Sequence, residues 1–220
     1  MIDHFLKVIF IHLEKTGGTS IVTALSGGDT SAVFSFDKKY DQGFIKHYSV
    51  AKTKKVYGDK VWNSYVKFTV VRNPWDRLVS KWQWRRNGLI YKYGKACPFL
   101  QKELKKKYLD LTENGKIPLS WFHEELKEEC KRWNLKKVDN FLFEENETLN
   151  DIYVLCFENL QNDWNGFQVN ILKSDPDNLI PLPHINKGED VIYQTFYTDE
   201  TKELIATHFS RTIKQFHYTF

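Results

Sequence analysis

Three times in this chain a short apolar, β-branched run breaks off in a turn and continues as a helix, and that pattern restricts the fold more than any other feature. The first instance is Val8-Ile9-Phe10-Ile11, ended by a glycine-containing turn, after which Thr19 to Leu25 has helical character until Gly27-Gly28 stops it. The second is Lys67-Phe68-Thr69-Val70-Val71, with Asn73-Pro74 as the turn and Trp75 onward as a helix. Pro74 stands at its first position, where the missing N–H would have no helical partner anyway. A third strand, Ile152 to Phe157, leads through Glu158-Asn159 into a helix near Leu160 to Leu172. Strands alternating with helices predict an α/β fold of three layers, a central, mainly parallel sheet flanked by helices, with ligands bound beyond the carboxyl ends of the strands.

The remaining chain adds to this frame without repeating it. At 220 residues the sequence suits one domain spanning 1–220. The charged region 88–150, with helical stretches at Pro98 to Tyr108 and Pro118 to Trp133, reads as a cap or side wall. Ser174 to Asp190, rich in Pro, Asp, Asn and Gly, reads as a loop, and Thr198 to Phe216 as a closing helix with Asp199 and Glu200 in its first turn. No run approaches the roughly 20 apolar residues of a membrane span. The stretch Phe5 to Leu13 is short, holds Lys7 and His12, and reads as a first strand rather than a cleaved leader. Cys97, Cys130 and Cys156 have neither disulfide-framework nor zinc spacing, so reduced thiols, no metal site and a cytoplasmic location are expected.

Charge is distributed unevenly. Residues 38–107 hold 19 Lys/Arg against four Asp/Glu, which leaves 13 against 24 elsewhere. Such a field favours a polyanion, although charge alone does not separate a nucleotide, a sulfated glycan, nucleic acid or a solvated surface. The basic segment does not have the regular aromatic interleaving of a single-strand binder, so nucleic acid is not expected as a partner, although Trp82, Trp84, Tyr91 and Tyr93 keep that alternative open.

The turn after the first strand contains Lys15-Thr16-Gly17-Gly18-Thr19-Ser20. Glycines let backbone N–H groups close on an oxyanion, a helix N-terminus adds its dipole, and Lys15 adds a mobile charge. The lysine precedes the glycines, the reverse of the Walker A order, which weighs against an ordinary ATPase or kinase. A plain strand-to-helix turn with an incidental lysine is the alternative. The turn after the second strand begins Arg72-Asn73-Pro74-Trp75-Asp76-Arg77-Leu78-Val79-Ser80. Arg72 and Ser80 could hold a second anion, while Trp75, Leu78, Val79 and Trp82 share a helix face and read as core. Trp84 and Arg85 lie off that stripe, open to a structural role or one at a substrate cleft.

Taken together, F-I-H-x-x-K-T-G-G-T-S and F-T-V-V-R-N-P-W-D-R-L-V-S resemble the two nucleotide-binding elements of the carbohydrate-type, family 2-like sulfotransferases that use 3′-phosphoadenosine 5′-phosphosulfate (PAPS). Phe157-Glu158-Asn159-Leu160, Leu182 to Lys187 and Tyr197 to Thr201 are also similar to that family, whereas 88–150 is the least recognisable part and Glu14 stands where the family more often has proline. The resemblance implies a P-loop-like fold and a 5′-phosphosulfate loop at Lys15, Thr16, Gly17, Gly18, Thr19 and Ser20. It also implies a 3′-phosphate site at Arg72 and Ser80, with Lys187 on a loop folding over the nucleotide. PAPS is then the co-substrate, a hydroxyl-bearing carbohydrate the expected acceptor, and no metal is required. Lys15 would stabilise the bridging oxygen. His47, Glu14, His12, His123 and His184 are candidates for the base; His47, upstream of the second element, resembles the family's general base, with a surface-turn histidine as the alternative. Glu14 is second, and His12 reads as structural. A small-molecule kinase of related fold and a non-catalytic polyanion-binding module are the competing readings.

Overall fold

The computed structural model describes residues 1–28, 47–95, 119–132, 141–143, 149–185 and 191–220. Their chain order is β1 (Ile2–Asp3), β2 (Val8–Ile11), α1 (Gly18–Leu25), α2 (Val50–Ser64), β3 (Val66–Val71), α3 (Pro74–Lys95), α4 (Leu119–Arg132), β4 (Ile152–Cys156), α5 (Leu160–Asn170), α6 (Asp199–His208) and α7 (Ser210–Phe216). They fall into two compact units, Met1–Asn73 with Asp139–Lys187, and Pro74–Val138 with Gly188–Phe220. The expected helix Pro98 to Tyr108 lies outside the described residues.

The first unit is built on an open four-stranded sheet in the order β1-β2-β3-β4. β2, β3 and β4 run parallel, and β1 pairs antiparallel with β2 at the edge. At two residues, β1 is too short to show a period in the sequence, and it was not anticipated. The central strands bury both faces, as parallel strands must. Val8, Phe10, Phe68, Val70 and Leu155 pack with Ile21, Val22 and Ala24 of α1 and with Trp164 and Phe167 of α5. Ile9, Ile11 and Ile152, on the opposite face, pack with Val50, Tyr57 and Trp62 of α2. Each fully buried side chain of this size contributes about 1.5–3 kcal/mol of apolar burial.

Local signals set where the elements begin and end. Ser49 caps α2, its Oγ accepting the Lys52 N–H at 3.2 Å. Gly58, with φ of 78°, breaks α2 into two segments. β4 stops at Cys156, one residue before the expected end, because Phe157–Asn159 form a 3-10 turn. The segment after α5 is fastened back to it: Trp164 Nε1 donates to the Ile180 carbonyl at 2.8 Å, and the Ile180 N–H donates to Gln168 Oε1 at 2.7 Å.

In the second unit, Trp75, Leu78, Val79 and Trp82 of α3 form the expected buried stripe. They pack with Phe122 and Leu126 of α4 and with Ile205 and Phe209. Tyr197 donates its hydroxyl proton to the Trp75 carbonyl at 2.8 Å, and burial together with nearby Asp76 pushes that phenol well above its ordinary range. Thr198 and Thr201 form a reciprocal cap that opens α6. The single closing helix expected over Thr198 to Phe216 is two helices instead. The chain turns at Phe209 (φ −111°, ψ 27°), whose ring is held in the core. Among the described residues no helix is long and apolar enough to cross a membrane.

Candidate functional site

In the first unit the parallel register brings three strand ends to one sheet edge. Ile11 lies opposite Thr69, and Val71 lies opposite Cys156. The turns that follow β2, β3 and β4 therefore emerge together, where open α/β sheets bind ligands. Thr69 ties the first two ends with a buried hydrogen bond, its Oγ1 donating to the Ile11 carbonyl at 2.8 Å.

The turn after β2 is wound as an anion cradle. Thr16 is fully buried and its hydroxyl donates to the Leu13 carbonyl at 2.9 Å, so that side chain closes the turn from inside. Lys15 (φ 65°) and Gly17 (φ 79°) are both left-handed. Left-handed residues alternating with right-handed ones turn successive N–H groups toward one point, and α1 opens with the amides of Gly18 and Thr19, while the Ser20 amide donates to the Gly17 carbonyl at 3.0 Å. No acidic residue stands in that turn. A side chain at either glycine would force a neighbouring side chain or the loop to move. A Cβ on Gly17 would stand 2.8 Å from Leu160 Cδ2 and 3.3 Å from the Phe157 ring, and one on Gly18 would fall within the His12 ring. A tetrahedral oxyanion suits a donor set of backbone amides and one lysine.

Two cations converge here. Arg72 Nη1 donates to the Lys15 carbonyl at 3.1 Å, and the guanidinium carbon stands 4.0 Å from the centre of the Phe157 ring. Burial first and the Arg72 charge second lower the Lys15 ammonium to about 8, with Glu14 opposing the shift. An anion beside Lys15 favours its protonated form, so binding draws a proton onto Lys15 once the pH exceeds about 8. Phosphate-ligand affinity is therefore expected to weaken as pH rises from 8 to 9.5, with proton uptake on binding. Calorimetry in buffers of different ionisation enthalpy checks this, and Lys15→Met should abolish the uptake.

The turn after β4 braces both neighbours, a role not legible from the motif alone. Glu158 Oε1 accepts the Asn73 N–H at 2.6 Å, Phe157 lies under Arg72, and Leu160 and Phe157 face Gly17. Asp163 holds this turn in shape by accepting the Cys156 N–H at 2.7 Å and an Asn159 side-chain proton at 2.8 Å. The available signal was that Phe157-Glu158-Asn159-Leu160 follows a strand directly, as the two anion motifs do.

Of the base candidates, His47 comes to the end of β2. Its Nδ1 lies 2.9 Å from the His12 carbonyl, and because a carbonyl oxygen only accepts, Nδ1 carries a proton, which in the neutral ring leaves the lone pair on Nε2. The ring is exposed and stands edge-on to His12 at 4.6 Å between centroids. His12 stacks on Phe10 at 5.2 Å and walls the cradle at Gly18. His123, in the second unit, contacts Thr201 Oγ1 at 3.4 Å, and burial lowers its imidazole below the ordinary value. His184 is exposed in the first unit. Ser80 lies half-buried on α3 in the second unit, and Lys187 lies outside the described residues. Among the described residues no group of three or more His, Cys, Asp or Glu is placed to hold a metal ion.

Searches of curated proteins and of solved structures returned no match. The family model described as "Sulfotransferase family" matches residues 1–214, a span that includes the cradle, Arg72 and the brace after β4. The chain belongs to the sulfotransferase family.

Proposed function

We propose that this protein transfers a sulfuryl group from PAPS to a hydroxyl of a carbohydrate acceptor, working as one P-loop-like sulfotransferase domain over residues 1–220. The observation that carries the reading is the hydrogen bond from Arg72 to the Lys15 carbonyl, which sets a second cation beside a wound anion cradle at adjoining strand ends. In this reading Lys15, Thr16, Gly17, Gly18, Thr19 and Ser20 receive the 5′-phosphosulfate. Arg72, with Ser80, receives the 3′-phosphate, and Lys187 makes a further phosphate contact.

When bound, PAPS supplies a sulfuryl group on an activated oxygen. His47 Nε2 accepts the proton of the acceptor hydroxyl as its oxygen bonds to sulfur, while the His12 carbonyl keeps the imidazole in the tautomer that has this lone pair free. The sulfur–oxygen bond to the nucleotide breaks, and adenosine 3′,5′-bisphosphate leaves. Lys15 and the cradle amides offset the charge that gathers on the departing oxygen. In this reading the cradle would hold the donor for in-line displacement, which lowers the orientational part of the barrier.

Transfer of radiolabelled sulfate from PAPS to a panel of glycans, lipids and small hydroxyl compounds tests the reading directly, with label expected on the glycans. In parallel, calorimetry should show tighter binding of adenosine 3′,5′-bisphosphate than of ATP, and equal affinities would reject PAPS as donor. Arg72→Ala should weaken the bisphosphate by about 30-fold, as loss of a charged partner does, while adenosine 5′-phosphate changes little. An equal loss for both ligands would reject the 3′-phosphate assignment.

A further inference from the structure

The described residues place a carboxylate, Glu158, at the same sheet edge as the two cations of an anion site. A negative charge there opposes an anionic ligand, so its presence calls for a compensating contribution. That contribution is visible in its bonding. Glu158 Oε1 accepts the N–H of Asn73, the residue immediately after Arg72, at 2.6 Å, a short charge-assisted hydrogen bond. The neighbouring Phe157 supplies a ring face 4.0 Å from the guanidinium carbon, and Arg72 itself reaches the Lys15 carbonyl at 3.1 Å. Main chain, side-chain plane and terminal nitrogen are thus each fixed by a different contact.

We infer that Glu158 is a positioning residue for the second anion site: by holding the Asn73 N–H it sets where the Arg72 guanidinium points. Its work is done as a hydrogen-bond acceptor. The Phe157 ring also lies 3.3 Å from where a Cβ on Gly17 would stand, a contact separate from the bond that Glu158 makes to Asn73. An arginine on a long flexible stem recognises a phosphate selectively only when its plane is fixed, so the loss of this brace should cost selectivity rather than general anion affinity.

The inference rests on the reading of Arg72 as the 3′-phosphate residue, and the test separates the two. Affinities for adenosine 3′,5′-bisphosphate and adenosine 5′-phosphate are measured by calorimetry on the full chain for wild type, Arg72→Ala, Glu158→Ala and Glu158→Gln, with thermal unfolding to verify that each variant folds. Glu158→Ala should reduce the preference for the bisphosphate at least tenfold, whereas Glu158→Gln, which keeps an acceptor oxygen and removes the repulsive charge, should stay within about threefold of wild type. Three outcomes overturn the inference: an unchanged preference in Glu158→Ala, an equal loss for both ligands, or a glutamine variant as impaired as the alanine. A wild-type protein with no preference for the bisphosphate, or an Arg72→Ala variant that keeps it, would instead overturn the underlying reading.

Discussion

Gly18→Ala should weaken adenosine 3′,5′-bisphosphate by about 100-fold, a loss that follows from one methyl group, because overpacking and a displacement of about 1 Å at a binding loop are each of that order. Gly18 has no left-handed φ, so alanine suits its backbone, and the objection to it is purely one of space. The added Cβ would enter the His12 ring, which stacks on Phe10 at 5.2 Å and meets His47 at 4.6 Å. With the ring held on two sides, the loop is the part that yields, carrying its amides off the ligand. His12→Ala removes the obstacle. The double variant His12→Ala/Gly18→Ala should therefore bind at least tenfold tighter than Gly18→Ala alone, measured by calorimetry. A double variant no better than the single one would show that the glycine is needed for another reason.

His47→Ala should lower turnover by about 10²–10⁴-fold, the usual contribution of a positioned base, and leave binding of adenosine 3′,5′-bisphosphate nearly unchanged. The side chain is exposed, so stability should change by no more than about 0.5 kcal/mol. Added imidazole should restore part of the turnover, since a small base can enter the space the ring occupied and take the acceptor proton. Single-turnover kinetics with radiolabelled PAPS, with and without imidazole, is the measurement. Loss of nucleotide binding in this variant would remove His47 from the role of base.

The parts of the site legible in the sequence are those whose physics is local. Val8 to Ile11 and Val66 to Val71 are β-branched runs ended by residues that suit turns, so strand, loop and helix are written within about 15 positions of each other. The buried stripe from Trp75 to Trp82 follows from helical periodicity, and the opening of α2 follows from Ser49 as a cap. What escaped the sequence depends on partners far along the chain. Nothing local indicates that Glu158 meets the amide of Asn73, because that contact follows from Val71 lying opposite Cys156 in the β3–β4 register. Likewise the break at Phe209 falls where its ring packs with Trp75 and Leu78 of α3 and Phe122 of α4, residues far from it in the chain.

The left-handed backbone of Lys15 places the fold and the ligand in opposition at a single residue. A side chain other than glycine costs about 1–2 kcal/mol in that region, and this cost is borne by the folded protein whether or not any anion arrives. Glycine at this position would relieve the backbone and make the chain more stable, but the cation would go with the side chain. Screens that select on thermal stability alone should therefore favour loss of the lysine, so residue 15 is the place where a gain in melting temperature signals a loss of function.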